Sequence, residues 1–212
     1  MLLKLIENIR YPTAICILAG LASLFYLHKL TSTERLIIVV IFMSIAADLF
    51  ANYIALKGKY NGDVYNIICP IEKITIVVCY YLNSYKNQFR LLYVTGIITF
   101  ILLSICGYSL NDHPGYIHTE VYVISGFIVA VLSYLQLKSI VLEKAKDSIP
   151  IFWFSMANLV YYTLMISVMS ARPVALSISW DFNTQINIVN DIAYSLWSPI
   201  ILIGIIWNRT KI

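Results

Sequence analysis

Apolar residues along the chain fall into seven long blocks separated by short polar stretches. The blocks cover about 11–30, 36–55, 64–84, 91–109, 119–138, 150–170 and 184–207. Each is close to the ~20 residues a helix needs to cross the hydrocarbon core of a bilayer. Alternating strands of ~10 residues, as in a membrane barrel, would look quite different. The pattern therefore predicts an all-α polytopic membrane protein, residues 1–212 forming a single seven-helix transmembrane domain.

Local signals refine the boundaries. Pro12 and Pro150 suit the first turn of a helix, and Ser148 suits a cap ahead of the sixth. Ahead of the first span, "MLLKLIENIR" places Leu2, Leu5, Ile6 and Ile9 on one helical face, which predicts an interfacial helix over residues 1–10. The longest connectors are expected to be "SLNDHPGYIHT" and "ARPVALSISWDFN". Neither could hold a soluble domain.

Composition strengthens this picture. The 212 residues are 60% hydrophobic and 12% charged, with a mean hydropathy of +0.79. A soluble domain carries about twice that share of charge. The net charge of +4 is no nucleic-acid signal, because the basic residues sit at span ends. Lys29, Arg35, Lys86, Arg90, Lys138, Lys144, Lys146, Arg209 and Lys211 share one side. Lys4, Arg10, Lys57, Lys59 and Arg172 share the other. The richer side is expected to be cytoplasmic, which puts the N-terminus outside and the C-terminus inside. The setting is a cell membrane, read as a bacterial inner membrane, with the lipid bilayer as the first partner. The cysteines Cys16, Cys69, Cys79 and Cys106 lie in apolar blocks without metal-ligand spacing and are expected to pack as small hydrophobes.

Candidate chemistry lies inside the spans. Asp48, Glu72, Lys73 and Asp191 interrupt apolar runs, and intramembrane charges usually face the bundle interior or a water-filled cavity. Helical rise puts Asp48, Glu72 and Asp191 at one depth, roughly 10–12 Å from the outer ends of their spans. Polar residues extend each position into a stripe at helical spacing. Ser44, Asp48 and Asn52 form one on span two, and Tyr65, Cys69 and Glu72 another on span three. Span six carries Ser155, Asn158 and Tyr162. Span seven carries Asn187, Asn190, Asp191, Tyr194, Ser195 and Ser198. Together they predict a polar core open to the outside. The ligand-binding residues expected are Asp48, Asn52, Glu72, Lys73, Asn158, Tyr162, Asn187, Asn190, Asp191 and Tyr194. Interhelical hydrogen bonding is the competing explanation of the same stripes. Lys73 is expected to pair with Asp48 or Asp191, and Pro70 to kink span three just before Glu72.

Other chemistry finds little support. "NDHPGYIHTE" has Asp112, His113, His118 and Glu120, but its spacing matches no zinc pattern, so no metal or other cofactor is expected. There is no Ser-His-Asp set, phosphate loop or HExxH, and catalytic residues are not assigned. Span seven lacks the lysine that a retinal-binding rhodopsin would need.

Two resemblances bear on the fold. "YNIICPIEKI", "FWFSMANLVYY" and "INIVNDIAYSL" are similar to segments of small seven-helix bacterial membrane proteins. That resemblance implies a membrane fold and transfers no activity. "DLFANYIAL" resembles the second helix of KDEL receptors, which have a SWEET-like arrangement. Ile45 stands where those receptors carry an arginine, so their chemistry does not carry over.

The function expected is a receptor or sensor that binds a small polar or cationic ligand from outside. Its short cytoplasmic loops would then need a membrane or cytoplasmic partner protein to pass a signal. The alternative is a transporter for a small polar solute, proton-coupled through the carboxylates. A membrane enzyme ranks third.

Overall fold

The computed structural model describes residues 9–84, 87–109, 119–143 and 149–210. Within them the chain forms seven α-helices. These are α1 (Tyr11–Leu24), α2 (Ser32–Leu56), α3 (Gly62–Leu82), α4 (Asn87–Ser109), α5 (Thr119–Glu143), α6 (Ile149–Ile178) and α7 (Trp180–Thr210). Six of them, α2 to α7, are long and apolar enough to cross a membrane. The protein has the architecture of a multi-pass helical membrane protein. The expected interfacial helix at 1–10, the Ser148 cap and the 110–118 loop with its histidines lie wholly or mainly outside the described residues.

α1 is shorter than its apolar block. It ends at Leu24 and gives way to a single 3-10 turn, Leu27–Lys29, where one helix through residue 30 was expected. At 14 residues it is ~21 Å long, less than a bilayer core. Ser23 bonds back to the Gly20 carbonyl at 2.6 Å, a habit that competes with regular helix geometry. The start of α2 is set by a capping box: Thr31 Oγ1 accepts from the Glu34 N–H, and the Glu34 carboxylate accepts from the Thr31 N–H at 2.8 Å. These reciprocal bonds satisfy two of the donors a helix N-terminus leaves bare. Gly58, at φ +70°, turns the chain out of α2 in the left-handed conformation that only glycine adopts cheaply. α3 runs unbroken through Pro70.

The second correction is at the α6–α7 junction. The sequence predicts a connector of about thirteen residues there, but α6 continues through Pro173 to Ile178 and α7 begins at Trp180. Only Ser179 separates them. The backbone N–H of Asn183 and the side chain of Ser179 help start α7, the latter accepting from the Phe182 N–H at 3.0 Å. Apolar residues at helical spacing continue past the predicted end of the span, and a proline near a helix end breaks few bonds.

Helix contacts arrange α1, α2, α3, α5, α6 and α7 as a closed ring, each touching the next. α4 lies outside, packed chiefly against α3 and α5. Its exposure agrees: 17% of its apolar stretch is buried, against 39–56% in the other five long helices. Small residues allow the closest approaches. A Cβ on Gly204 of α7 would lie 2.5 Å from Trp153 of α6. The inner half of the ring is filled by Ile37, Ile41, Ile76, Phe154, Ile201 and Ile205, all essentially inaccessible. "Inner" denotes the end where α2 begins and α3 ends.

Candidate functional site

The opposite half of the ring is hollow. A cavity of about 300 Å³ opens at the end where α1, α3 and α7 begin and α2 and α6 finish. Asp48, Glu72, Asn187, Asn190, Asp191 and Tyr194 line it, so three helices do bring the three carboxylates to one space. Four of the expected site residues are elsewhere. Asn52, Lys73, Asn158 and Tyr162 are not in its wall.

The carboxylates have different partners. Asp48 accepts from Thr13 Oγ1 at 2.9 Å and from Tyr65 Oη at 3.2 Å, which ties α1 and α3 to α2. Asp191 is bound by the guanidinium of Arg10. Burial works against the charge on Arg10, but the hydrogen bond to Asp191 and that carboxylate's field outweigh it and hold the guanidinium more firmly protonated than in water. Glu72 is nearly buried, at 8% exposure. Its polar neighbour is Ser44, whose Oγ completes no hydrogen bond of normal geometry.

Ser44 is one of three such atoms in the wall. Asn190 Oδ1 and Tyr194 Oη are also buried and complete no hydrogen bond of normal geometry. Buried polar atoms are almost always satisfied, and each one left bare costs roughly 1–3 kcal/mol. The Tyr194 hydroxyl sits within reach of Asp48 and that of Ser44 within reach of Glu72, so small shifts let both hydroxyls donate to the carboxylates, and Asn190 Oδ1 is the atom left bare. Tyr65, Tyr122 and Tyr161 add aromatic surface.

Lys73 corrects an expectation. It pairs with neither Asp48 nor Asp191. It donates to Ser125 Oγ at 2.5 Å and lies 4.3 Å from the centre of the Tyr122 ring and 5.9 Å from that of Tyr162. Lys73, Tyr122 and Ser125 line a separate void of about 20 Å³ between α3, α4 and α5, room for about one water. The cause is helix geometry: consecutive residues point ~100° apart, so Glu72 faces the ring interior and Lys73 the α5 side.

Asn158 is part of the floor beneath the cavity. Its Nδ2 donates to Tyr80 Oη at 3.0 Å, and its Oδ1 accepts from Trp197 Nε1 at 2.8 Å. Tyr80 also bonds Ser133 at 2.8 Å. Both ends of the amide are used, so Asn158 braces α3, α5, α6 and α7. Above it the rings of Tyr161, Tyr194 and Trp197 stand 5.9–6.2 Å apart and close the inner end.

The sequence reading missed Arg10, Thr13, Asn61, Tyr161, Met169 and Arg172, all in the cavity wall. Arg10 and Arg172 counted only as flanking charges. A signal was present for Arg172: Tyr161, Met165, Met169 and Arg172 continue one helical face past residue 170. Cys69 also lines the cavity, while Cys106 is exposed, so two of the four cysteines are not simple core fillers. No metal-binding cluster occurs among the described residues.

No family model, curated protein or solved structure matches the chain. The site is therefore read from its own geometry.

Proposed function

We propose that the protein is a membrane receptor or sensor subunit that binds a small cationic or polar ligand in this cavity, with the mouth facing outside the cell. The observation that carries the reading is the concentration of Asp48, Glu72, the buried hydroxyls of Ser44 and Tyr194 beside them and the unpartnered Asn190 Oδ1 around one space. An ammonium group supplies donors to the carboxylates and to Asn190 Oδ1, and a tyrosine-rich wall stabilises it further. The volume suits an amino-acid-sized or slightly larger molecule. The outward orientation rests on the nine-to-five distribution of basic residues in the connecting segments.

Sensing is favoured over transport by the inner end. Tyr161, Tyr194, Trp197 and the Asn158 bonds pack across it. A signal would pass through helix movement to a partner protein.

The test is native mass spectrometry of the protein extracted gently from its membrane, with uptake measured in parallel on vesicles. A retained cationic adduct, lost in Glu72→Gln, with no uptake of that compound, is the expected result. Uptake of the same compound would make the protein a transporter. A Glu72→Gln protein that keeps the adduct would remove the cavity from the account.

A further inference from the structure

The cavity wall has one charged group that a simple cation does not explain. Arg172 lines the cavity and is partly buried. Among the described residues it makes no hydrogen bond or ion pair, whereas the other cation of the wall, Arg10, is bound to Asp191. A guanidinium beside a purely cationic ligand would repel it. It matches a carboxylate or phosphate in shape and charge.

The charges are also ordered by depth. α6 runs toward the mouth, and Arg172 lies eleven residues beyond Tyr161, roughly 16 Å along the axis. α3 runs away from the mouth, and Glu72 lies ten residues in from Gly62, roughly 15 Å down. Free positive charge thus sits near the entrance and free negative charge near the floor.

We propose that the ligand is a zwitterion, with a cationic group received by Asp48 and Glu72 on the floor and an anionic group received by Arg172 nearer the mouth. This rests on the cavity being a ligand site. The separation of the charges calls for a molecule whose two ionic groups are set apart by several methylenes or an equivalent spacer, rather than one with both on a single carbon. Arg172 selects against amines lacking the anion, and the carboxylates against anions lacking the amine.

The experiment is equilibrium binding to the full chain in lipid nanodiscs. The probes are γ-aminobutyrate, δ-aminovalerate and ε-aminocaproate, each with its methyl ester and its N-acetyl derivative. The ester keeps the cation and removes the anion, and the acetyl form does the reverse. The best-binding free acid is expected to bind about tenfold or more tighter than its ester, as a charge-assisted hydrogen bond allows. Arg172→Gln is expected to abolish that difference while leaving ester binding intact, which also shows that the variant is folded. Arg172→Lys is expected to restore part of it, and Lys59→Gln, exposed at the same end, to change nothing. If the ester binds wild type as well as the acid does, the zwitterion is overturned and the cation site survives. If neither acid nor ester binds wild type, both readings fail together.

Discussion

Glu72 and Lys73 are adjacent in sequence yet occupy different spaces. Glu72 faces the large cavity of the ring, and Lys73 the small void beside Tyr122 and Ser125. The Pro-Ile-Glu-Lys step in α3 is therefore two polar devices set back to back, not a buried ion pair.

The two substitutions at this step should therefore separate. Glu72→Gln keeps the shape and removes the charge, and ligand affinity is expected to fall about tenfold or more with a small change in thermal midpoint. Lys73→Met removes a buried ammonium, and replacing buried charge by an apolar group of similar size is often neutral or stabilising. Its thermal midpoint is expected to hold or rise, with affinity unchanged. Equal loss of affinity in both variants would mean that Lys73 acts on the site.

Asp191 should matter less than Glu72, although the sequence ranks them together. Arg10 already neutralises it, and with Arg10 half exposed, at 51%, the pair is worth about 0–1 kcal/mol. Asp191→Asn is expected to change affinity by less than Glu72→Gln does. A double-mutant cycle of Arg10→Gln with Asp191→Asn in thermal unfolding should return a coupling in the same small range. A coupling several times larger would make the pair a structural clamp.

Asn158 offers the cleanest division between structure and binding. Asn158→Leu strands the Trp197 N–H in the core and should destabilise the protein by about 1–3 kcal/mol. Affinity of the folded fraction should be unchanged, because the side chain does not reach the cavity. Weakened binding with unchanged stability would put Asn158 back in the site.

Helix number and the convergence of Asp48, Glu72 and Asp191 were legible because each depends on periodicity and rise within one helix. Which face met which neighbour was not. Ser155, Asn158 and Tyr162 form a stripe like those of α2 and α7, but it turns into the floor and the α5 side. Only packing decides between a stripe that bonds other helices and one that meets a cavity. The Thr31–Glu34 capping box was readable in "TSTE" and would have begun α2 a turn earlier. Arg172 was hidden because the apolar block of span six ends near residue 170 and left it as a flanking charge, whereas α6 continues through Pro173 to Ile178.

Orientation can be measured with introduced cysteines in a Cys69→Ser, Cys106→Ser background, which keeps only the buried Cys16 and Cys79. A membrane-impermeant maleimide added to intact cells is expected to label Lys59→Cys and to miss His28→Cys, exposed at the opposite end. The reverse pattern would turn the cavity toward the cytoplasm.

The most direct test of an acidic cavity open only to the outside uses the native Cys69 in its wall. In the Cys106→Ser background, right-side-out and inverted vesicles are treated with a trimethylammonium methanethiosulfonate and with its sulfonate analogue. Modification of Cys69, read by mass spectrometry, is expected from the outer face only. It should be faster with the cationic reagent, and Glu72→Gln should reduce that preference. No modification, equal modification from both faces, or a preference for the anionic reagent would contradict an outward-open cation site.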